Sequence, residues 1–295
     1  GWQSANVEAM ERGWVEATAV PVDLVKAYTV ATLRAEQLWR VARAANDWAG
    51  VRGALQEVVG LARQRADALA GVLGLSRYDA MLESYEPELR VTDIEPIFED
   101  LKQFLPPLLE KVLDTQPTLE PLEGPFPVTQ QRVLCEEAMR ALGFDFNRGR
   151  FDVSHHPFCG GVPDDTRITT RYDEASFMES FMAICHETGH ALYQQGLPVA
   201  WRRQPVGESL GAAVHESQSL LMELQVCRSR AFMEFIAPKM RSCFGRENDP
   251  RWSARNLHAQ AIRVGRGYIR VDADEITYPL HVILRFELEQ ALLDG

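Results

Sequence analysis

The chain has 295 residues, 46% of them hydrophobic, so it is long enough to bury a large core. Its formal net charge of −11, with basic residues that are scattered and not clustered, argues against nucleic acid or an anionic membrane as a partner. No segment reaches the roughly 18 apolar residues that a transmembrane helix needs.

Cysteine usage points to a reducing compartment. The five cysteines are odd in number and widely spaced, with no CxxC pair: Cys135, Cys159, Cys185, Cys227 and Cys243. This pattern predicts free thiols and not a disulfide framework. The first residues contain no basic region followed by an apolar stretch, so no secretion signal is expected. We therefore expect a cytoplasmic protein.

The first part of the chain has a helical pattern. Apolar residues recur at helical spacing among strong helix formers from Val22 to about Leu75 and again from Ile94 to Leu113. The segment Gln116–Val128 is rich in proline and is predicted to be an extended connector. The sequence therefore predicts a helical N-terminal part, residues 1–125, and a metal-site part, residues 126–295.

The second part begins with a predicted helix, Thr129–Leu142, and then changes character. Phe151–Ser154 and Thr166–Tyr172 alternate or carry β-branched residues, which predicts two strands. The segment between them, residues 155–165, has the composition of a loop. Helical patterning returns from Glu174 almost to the end. The sequence therefore predicts a mainly α fold with one small β element before the motif described next.

Residues 186–190 form an HExxH motif on a predicted helix that Asp173 caps and Gly196 ends. His186 and His190 are four residues apart, so they lie on one helix face, about 5–6 Å apart at Cβ. Two such imidazoles can share a tetrahedral zinc ion at roughly 2.0–2.1 Å. Glu187 can reach a water on the metal without binding the metal itself. The motif thus predicts that zinc acidifies a water and Glu187 takes its proton.

A third protein ligand is required, and no further histidine follows closely after the motif. We expect an acidic residue from a later helix, within Gly207–Leu224. The small residues Gly211–Ala213 would let this helix approach the first one closely. The candidates are Glu208, Glu216 and Glu223, and their positions along the chain do not decide between them.

Five segments in order resemble the carboxypeptidase Taq family of HExxH zinc metallocarboxypeptidases. They are HPF at His156–Phe158, DxRxT at Asp165–Thr169, HExxH at His186–His190, HESQS at His215–Ser219 and IRxxAD at Ile269–Asp274. The resemblance covers essentially the whole chain. It implies a mainly α, gluzincin-type peptidase with a deep cleft, and a homodimer.

The same resemblance implies an activity and a ligand set. Glu216 would be the third zinc ligand, with cobalt as a possible replacement for zinc. The implied activity is the release of C-terminal amino acids, one at a time and with broad specificity, from peptides with a free C-terminus.

Two arginines of the matched motifs are candidates for binding the substrate terminus. Arg167 and Arg270 carry the planar fork that suits a carboxylate. The alternative is an internal salt bridge, for instance from Arg270 to Asp272 or Asp274.

Other substrate contacts are expected on the β element and beside the third ligand. The strand Thr166–Tyr172 would be an edge strand that pairs with the substrate backbone. His156 and Phe158 could close the cleft past the terminal residue, although Phe158 could instead pack in the core. His215 would contact either the substrate or a metal ligand.

The family's last motif, GxxQDxHW, is not found in this chain. The chain ends at Gly295, after a helix that is predicted from Ala273 to about Leu292 with a kink at Pro279. Against the family pattern we expect a chain truncated at both ends. Two other functions are compatible with the sequence: an endopeptidase or dipeptidyl-type peptidase on the same scaffold, and a truncated, inactive homologue that acts as a binding protein.

Overall fold

The computed structural model describes residues 1–154 and 156–295. The chain divides into two compact units, Gly1–Phe104 with Pro279–Gly295, and Leu105–Tyr278. The boundary expected at residue 125 falls inside the second unit. The functional division into residues 1–125 and 126–295 stays a prediction.

The first unit is helical, as its sequence predicts. Its helices, including two that extend past its limits, are α1 (Trp2–Ala19), α2 (Val22–Ala44), α3 (Trp48–Leu73), α4 (Arg77–Leu82), α5 (Val91–Thr115) and α11 (Thr277–Asp294). The long helical pattern after Val22 is broken between α2 and α3. There Asn46 has a left-handed φ of 54°. The Asp47 side chain caps the start of α3 by accepting a hydrogen bond from Gly50 N–H. No helix within residues 1–154 and 156–295 is both long and apolar enough to cross a membrane.

The second unit surrounds one large hydrophobic core. Its elements are α6 (Val128–Leu142), β1 (Gly149–Val153), β2 (Phe158–Val162), β3 (Asp165–Thr170), α7 (Phe177–Gly196), α8 (Ala212–Leu220), a π-helical turn (Leu221–Cys227), α9 (Arg230–Phe244) and α10 (Ala254–Ala261). In this core Phe177 stacks on Trp252, with the ring planes 8° apart. The core buries one side of α7, the helix that carries the HExxH motif.

A three-stranded sheet lies against α7, with the order β1-β3-β2. The two predicted strands are confirmed, but the prediction of a loop between them is wrong because β2 pairs antiparallel with β3. This strand was not predicted because it contains glycines, which are uncommon in strands. Gly161 has a φ of 103°, and a Cβ there would lie 2.2 Å from the carbonyl oxygen of Asp165. His155, also in the predicted loop, lies outside the described residues.

The sheet order also corrects the expected edge strand. β3, within the predicted Thr166–Tyr172 strand, is central, because β1 pairs with it on one side and β2 on the other. Its backbone hydrogen-bonding groups are therefore already used. Among the described strands, β1 and β2 form the edges of the sheet.

Two helix boundaries differ from those predicted. α7 begins at Phe177, three residues after the predicted start, because Asp173 accepts a hydrogen bond from Ala175 N–H in a turn before the helix. The last helix begins at Thr277, because the Asp274 side chain accepts a hydrogen bond from the Thr277 N–H. The kink predicted at Pro279 is wrong, because proline in a first turn removes no hydrogen bond that the helix needs.

Candidate metal centre

The HExxH motif presents its two histidines together on α7, as predicted. The ring centroids of His186 and His190 are 4.9 Å apart, with the ring planes 85° to each other. Both side chains are mostly buried, at 20% and 15% exposed. Glu187, between them, is buried, with 7% of its surface exposed. The local helix geometry therefore brings two imidazole groups and one carboxylate to one place.

Glu216 of α8 completes a group of three residues that could hold a metal ion. Its Oε2 lies 3.3 Å from Nε2 of His190 and 3.8 Å from Nε2 of His186. One ligand atom from each of the three residues lies within 4.8 Å of the others. Tetrahedral bonds of about 2.1 Å would separate two ligand atoms by about 3.4 Å. The three side chains thus fit around a zinc-sized ion.

The other two candidate carboxylates have different surroundings. Oε2 of Glu223 lies 2.9 Å from Nδ1 of His186, the ring nitrogen that does not face Glu216. Glu208 is exposed, before the start of α8. The geometry therefore favours Glu216 among the three residues that the sequence left open.

The second histidine is flanked by His215. Nδ1 of His190 lies 3.1 Å from the carbonyl oxygen of His215 and 2.6 Å from its Nδ1. Tyr193 packs edge-on against the His215 ring, 5.2 Å between centroids. His215 thus contacts a candidate ligand on the side of the ring opposite to the candidate metal position.

Burial and charge act in opposite directions on the carboxyl groups of the centre. Burial raises the pKa of Glu187, although the nearby histidines act to lower it. The hydrogen bond with His190 lowers the pKa of Glu216, against the effect of burial. One carboxyl group is thus shifted towards holding a proton and the other towards remaining an anionic ligand.

A glycine determines how closely the two ligand helices approach. A Cβ at Gly189 would lie 2.5 Å from the carbonyl oxygen of Gln218 and 2.6 Å from Cα of Ser219. The close contact is therefore here, and not at Gly211–Ala213 as expected from the sequence, since Ala212 and Ala213 are exposed at the start of α8. The sequence signal for it was a glycine within the HExxH motif itself.

We expect Gly189→Ala to disturb the metal centre, because the added methyl group meets backbone atoms that cannot move independently. Overpacking of this kind typically costs about 1–3 kcal/mol of the free energy of unfolding. Separation of α7 from α8 should also weaken metal binding, because Glu216 would be displaced from the histidines. Urea unfolding and metal titration measure the two effects. Gly196→Ala, in the same helix with open space around its Cβ position, is the matched control. Equal effects of the two substitutions would contradict this account.

The two candidate arginines differ in their partners. Arg167 is exposed and forms a two-pronged ion pair with Asp165 of its own strand, at 2.7–3.1 Å. Arg270 donates a hydrogen bond of 3.0 Å to the Tyr278 hydroxyl and lies over its ring. Burial raises the pKa of Tyr278, and the negative charge of Glu216 raises it further. Tyr278 and its partner Arg270 therefore lie close enough to the candidate metal centre to be affected by its charges.

The salt bridges considered for Arg270 do not form. Asp272 is paired with Arg171 at 3.6 Å. Asp274 accepts hydrogen bonds from the backbone N–H groups of Gly265, Ile276 and Thr277. Within the described residues, the Arg270 guanidinium forms no ion pair. The tyrosine partner was missed from the sequence because it lies beyond the IRxxAD motif.

The β element presents its two candidates to solvent. Phe158 is 63% exposed, so the alternative that it packs in the core is wrong. His156 is also exposed, and its carbonyl oxygen accepts a hydrogen bond from the Thr169 hydroxyl. Both remain candidates for contact with a substrate.

Known proteins resemble this chain in fold and sequence. The family model described as Carboxypeptidase Taq (M32) metallopeptidase matches residues 2–295. Thermostable carboxypeptidase 1 of Thermus thermophilus is 37% identical over 302 residues, covering 99% of this chain and 59% of that protein. The solved structure of Trypanosoma cruzi metallocarboxypeptidase 1 is 41% identical with a TM-score of 0.94, over 100% of this chain and 59% of that one.

A second solved structure, the M32 carboxypeptidase of Deinococcus radiodurans, is 33% identical with a TM-score of 0.92, again over 100% of this chain and 59% of that one. The chain thus spans about 59% of the length of these relatives. The family match extends over nearly all of the chain, and the ligand geometry agrees with a metallopeptidase. The chain therefore belongs to the carboxypeptidase Taq (M32) metallopeptidase family.

Proposed function

We propose that this chain carries the metal centre and catalytic base of a carboxypeptidase that releases C-terminal amino acids from peptides. The observation that carries the proposal is the arrangement of His186, His190 and Glu216 around one ion-sized space, with buried Glu187 in the same motif. Membership of a metallocarboxypeptidase family supports the choice of substrate class.

Zinc is the metal that this donor set suits best. Two imidazoles and one carboxylate are a common set for a catalytic zinc, which keeps a fourth position for water or substrate. Cobalt is the expected replacement. When bound, the ion would supply Lewis acidity, which makes a water more acidic and polarises the scissile carbonyl.

Glu187 performs the proton transfers in this proposal. Its carboxylate accepts a proton from the attacking water and later donates that proton to the leaving amine. The raised pKa suits this exchange, because a base that later acts as an acid works best with a pKa near the working pH. The three metal ligands take no part in these proton transfers.

The remaining residues would bind the peptide. The outer edge of β2, beside α7, is suited to pair with an extended backbone. Arg270 would bind the terminal carboxylate through its guanidinium group, because its hydrogen-bond partner Tyr278 is neutral and leaves that charge available. Exposed His156 and Phe158 would contact the peptide nearby, and Arg167 would do so only by giving up its contact with Asp165.

Metal analysis of a Glu216→Gln variant tests the ligand set. We expect both metal affinity and peptide hydrolysis to fall, because an amide oxygen is neutral and binds zinc more weakly than a carboxylate. Glu208→Gln removes the same charge from an exposed position before α8 and is the matched control. Unchanged metal content in Glu216→Gln would remove Glu216 from the ligand set.

A time course of peptide digestion tests the activity. A carboxypeptidase shortens a peptide by one residue at a time from its C-terminus, whereas the alternative endopeptidase or dipeptidyl-type activity gives internal fragments or dipeptides. Metal binding without any cleavage would favour the remaining alternative, an inactive homologue that binds peptides.

Location and assembly are also proposals. All five cysteines are free, which supports a reducing compartment such as the cytoplasm. A homodimer is expected from the family resemblance, and its test is the molar mass in solution.

A further inference from the structure

Three contacts link His186 to the end of a distant helix. Nδ1 of His186 lies 2.9 Å from Oε2 of Glu223, and Oε1 of the same carboxylate accepts a hydrogen bond of 2.6 Å from Nη2 of Arg228. The other terminal nitrogen of Arg228 donates to the carbonyl oxygen of Ala261, the last residue of α10. Glu223 and Arg228 are 17% and 15% exposed, so both charges are largely removed from solvent.

The backbone that carries this pair is not an α-helix. Residues Leu221–Cys227 form a π-helical turn, in which Arg228 N–H bonds to the carbonyl oxygen of Glu223 at 3.0 Å. In such a turn an N–H bonds to the carbonyl oxygen five residues earlier, so residues five apart lie closer together around the axis than in an α-helix. In an α-helix they would be about 140° apart around the axis, and Cys227 would take the place above Glu223. The π turn therefore brings Arg228 closer to the side of Glu223 than a regular α-helix would.

The cost of this arrangement indicates that it has a role. Burying a carboxylate and a guanidinium is unfavourable unless both are paired, and π turns are uncommon and frequent at functional sites. Here each oxygen of the Glu223 carboxylate has one partner, and each terminal nitrogen of Arg228 has one. A guanidinium at the C-terminal carbonyl groups of α10 is also favoured by the helix dipole.

We propose that Arg228, Glu223 and His186 form an orienting relay, and that the π-helical turn exists to align it. Glu223 accepts a hydrogen bond from Nδ1–H of His186, so that Nε2, on the side facing Glu216, carries the lone pair that binds a metal. Arg228 fixes the carboxylate through its second oxygen. Glu223 is thus a positioning residue and not a ligand. This proposal rests on the proposed function only for the use of His186 as a ligand.

Metal affinity of the purified chain, measured by competition with a chelator for zinc, tests the relay. Glu223→Gln should weaken zinc binding about 10- to 100-fold, the usual effect of losing a hydrogen bond to a metal-binding histidine. Arg228→Met should weaken it less. The double variant should lose less than the product of the two single effects, because both act through one contact. Glu208→Gln and Arg230→Met, at exposed positions outside the relay, are the charge-matched controls.

A second measurement does not depend on metal. The ¹⁵N chemical shifts of His186 in the metal-free protein should show the proton on Nδ1 in the wild type and a mixture of tautomers in Glu223→Gln. Circular dichroism and thermal unfolding of the metal-free variants report whether they fold. If Glu223→Gln proves unstable, Arg228→Lys is the second variant, because lysine keeps the charge but cannot reach both partners with a planar fork. It should show a smaller loss of zinc affinity and a smaller shift in the His186 tautomer.

The outcomes separate this inference from the function on which it rests. Wild-type zinc affinity in a folded Glu223→Gln variant, or an unchanged tautomer, would overturn the relay while leaving the metal centre intact. A wild-type chain that binds zinc no more tightly than Glu216→Gln would overturn the metal centre, and the relay with it.

Discussion

Replacement of Glu187 with glutamine should abolish peptide hydrolysis while zinc binding stays close to that of the wild type. Loss of a positioned general base typically costs about 10²–10⁴ in rate, and here the same residue also returns the proton to the leaving amine. The proposed ligands, His186, His190 and Glu216, are unchanged, so metal content should not fall. Steady-state kinetics and metal analysis on the same preparation measure both quantities.

The matched control for this prediction is Glu179→Gln. Glu179 lies on the same helix but is exposed in its first turn, so its loss should leave activity unchanged. Substantial activity in Glu187→Gln would show that another group accepts the proton. A loss of metal together with activity would instead mean that Glu187 binds the ion.

A peptide that ends in a carboxamide should be hydrolysed far more slowly than the corresponding free acid. Loss of one partner from a buried charge pair typically costs about 2–5 kcal/mol, or roughly thirty-fold to several thousand-fold in kcat/KM. Arg270 should account for most of this discrimination, because Tyr278 holds its guanidinium group without neutralising it. We therefore expect the Arg270→Met variant to hydrolyse the carboxamide and the free acid at similarly low rates.

Arg167→Met is the comparison for the second prediction, since Arg167 is exposed and already paired with Asp165. That variant should retain most of the preference for the free acid. Equal rates on the two peptides with the wild-type chain would identify an endopeptidase. Loss of discrimination in Arg167→Met and not in Arg270→Met would exchange the roles of the two arginines.

The parts of the site that were predictable from the sequence are those that local geometry determines. The spacing of His186 and His190 places both on one face of any α-helix, whatever surrounds it. The strands β1 and β3 were predictable because β-branched residues favour a pleated backbone. The helical character of the segments from Val22 to about Leu75 and from Ile94 to Leu113 follows in the same way from periodicity and helix propensity.

Other features were wrongly predicted because their signals are weak or depend on contacts distant in the chain. β2 contains two glycines and is a strand only because β3 supplies its hydrogen bonds. The same pairing makes β3 a central strand, which its own composition could not indicate. The kink expected at Pro279 depended on where α11 begins, and the Asp274 side chain determines that position.

The sequence alone determined that two histidines and a glutamate would lie together on one helix, and the resemblance of its motifs implied Glu216 as the third ligand. Only the tertiary structure assigned Glu216 and Glu223 to opposite nitrogens of His186. The two glutamates are seven residues apart, so in a regular α-helix they would lie on nearly the same face. Their roles differ because Gly189 lets α8 approach α7 at Ser219, and because the backbone changes to a π-helical turn directly after α8. Residue spacing alone specifies neither cause, because the approach at Gly189 is a contact between helices distant in the chain and the π-helical turn departs from regular helical spacing.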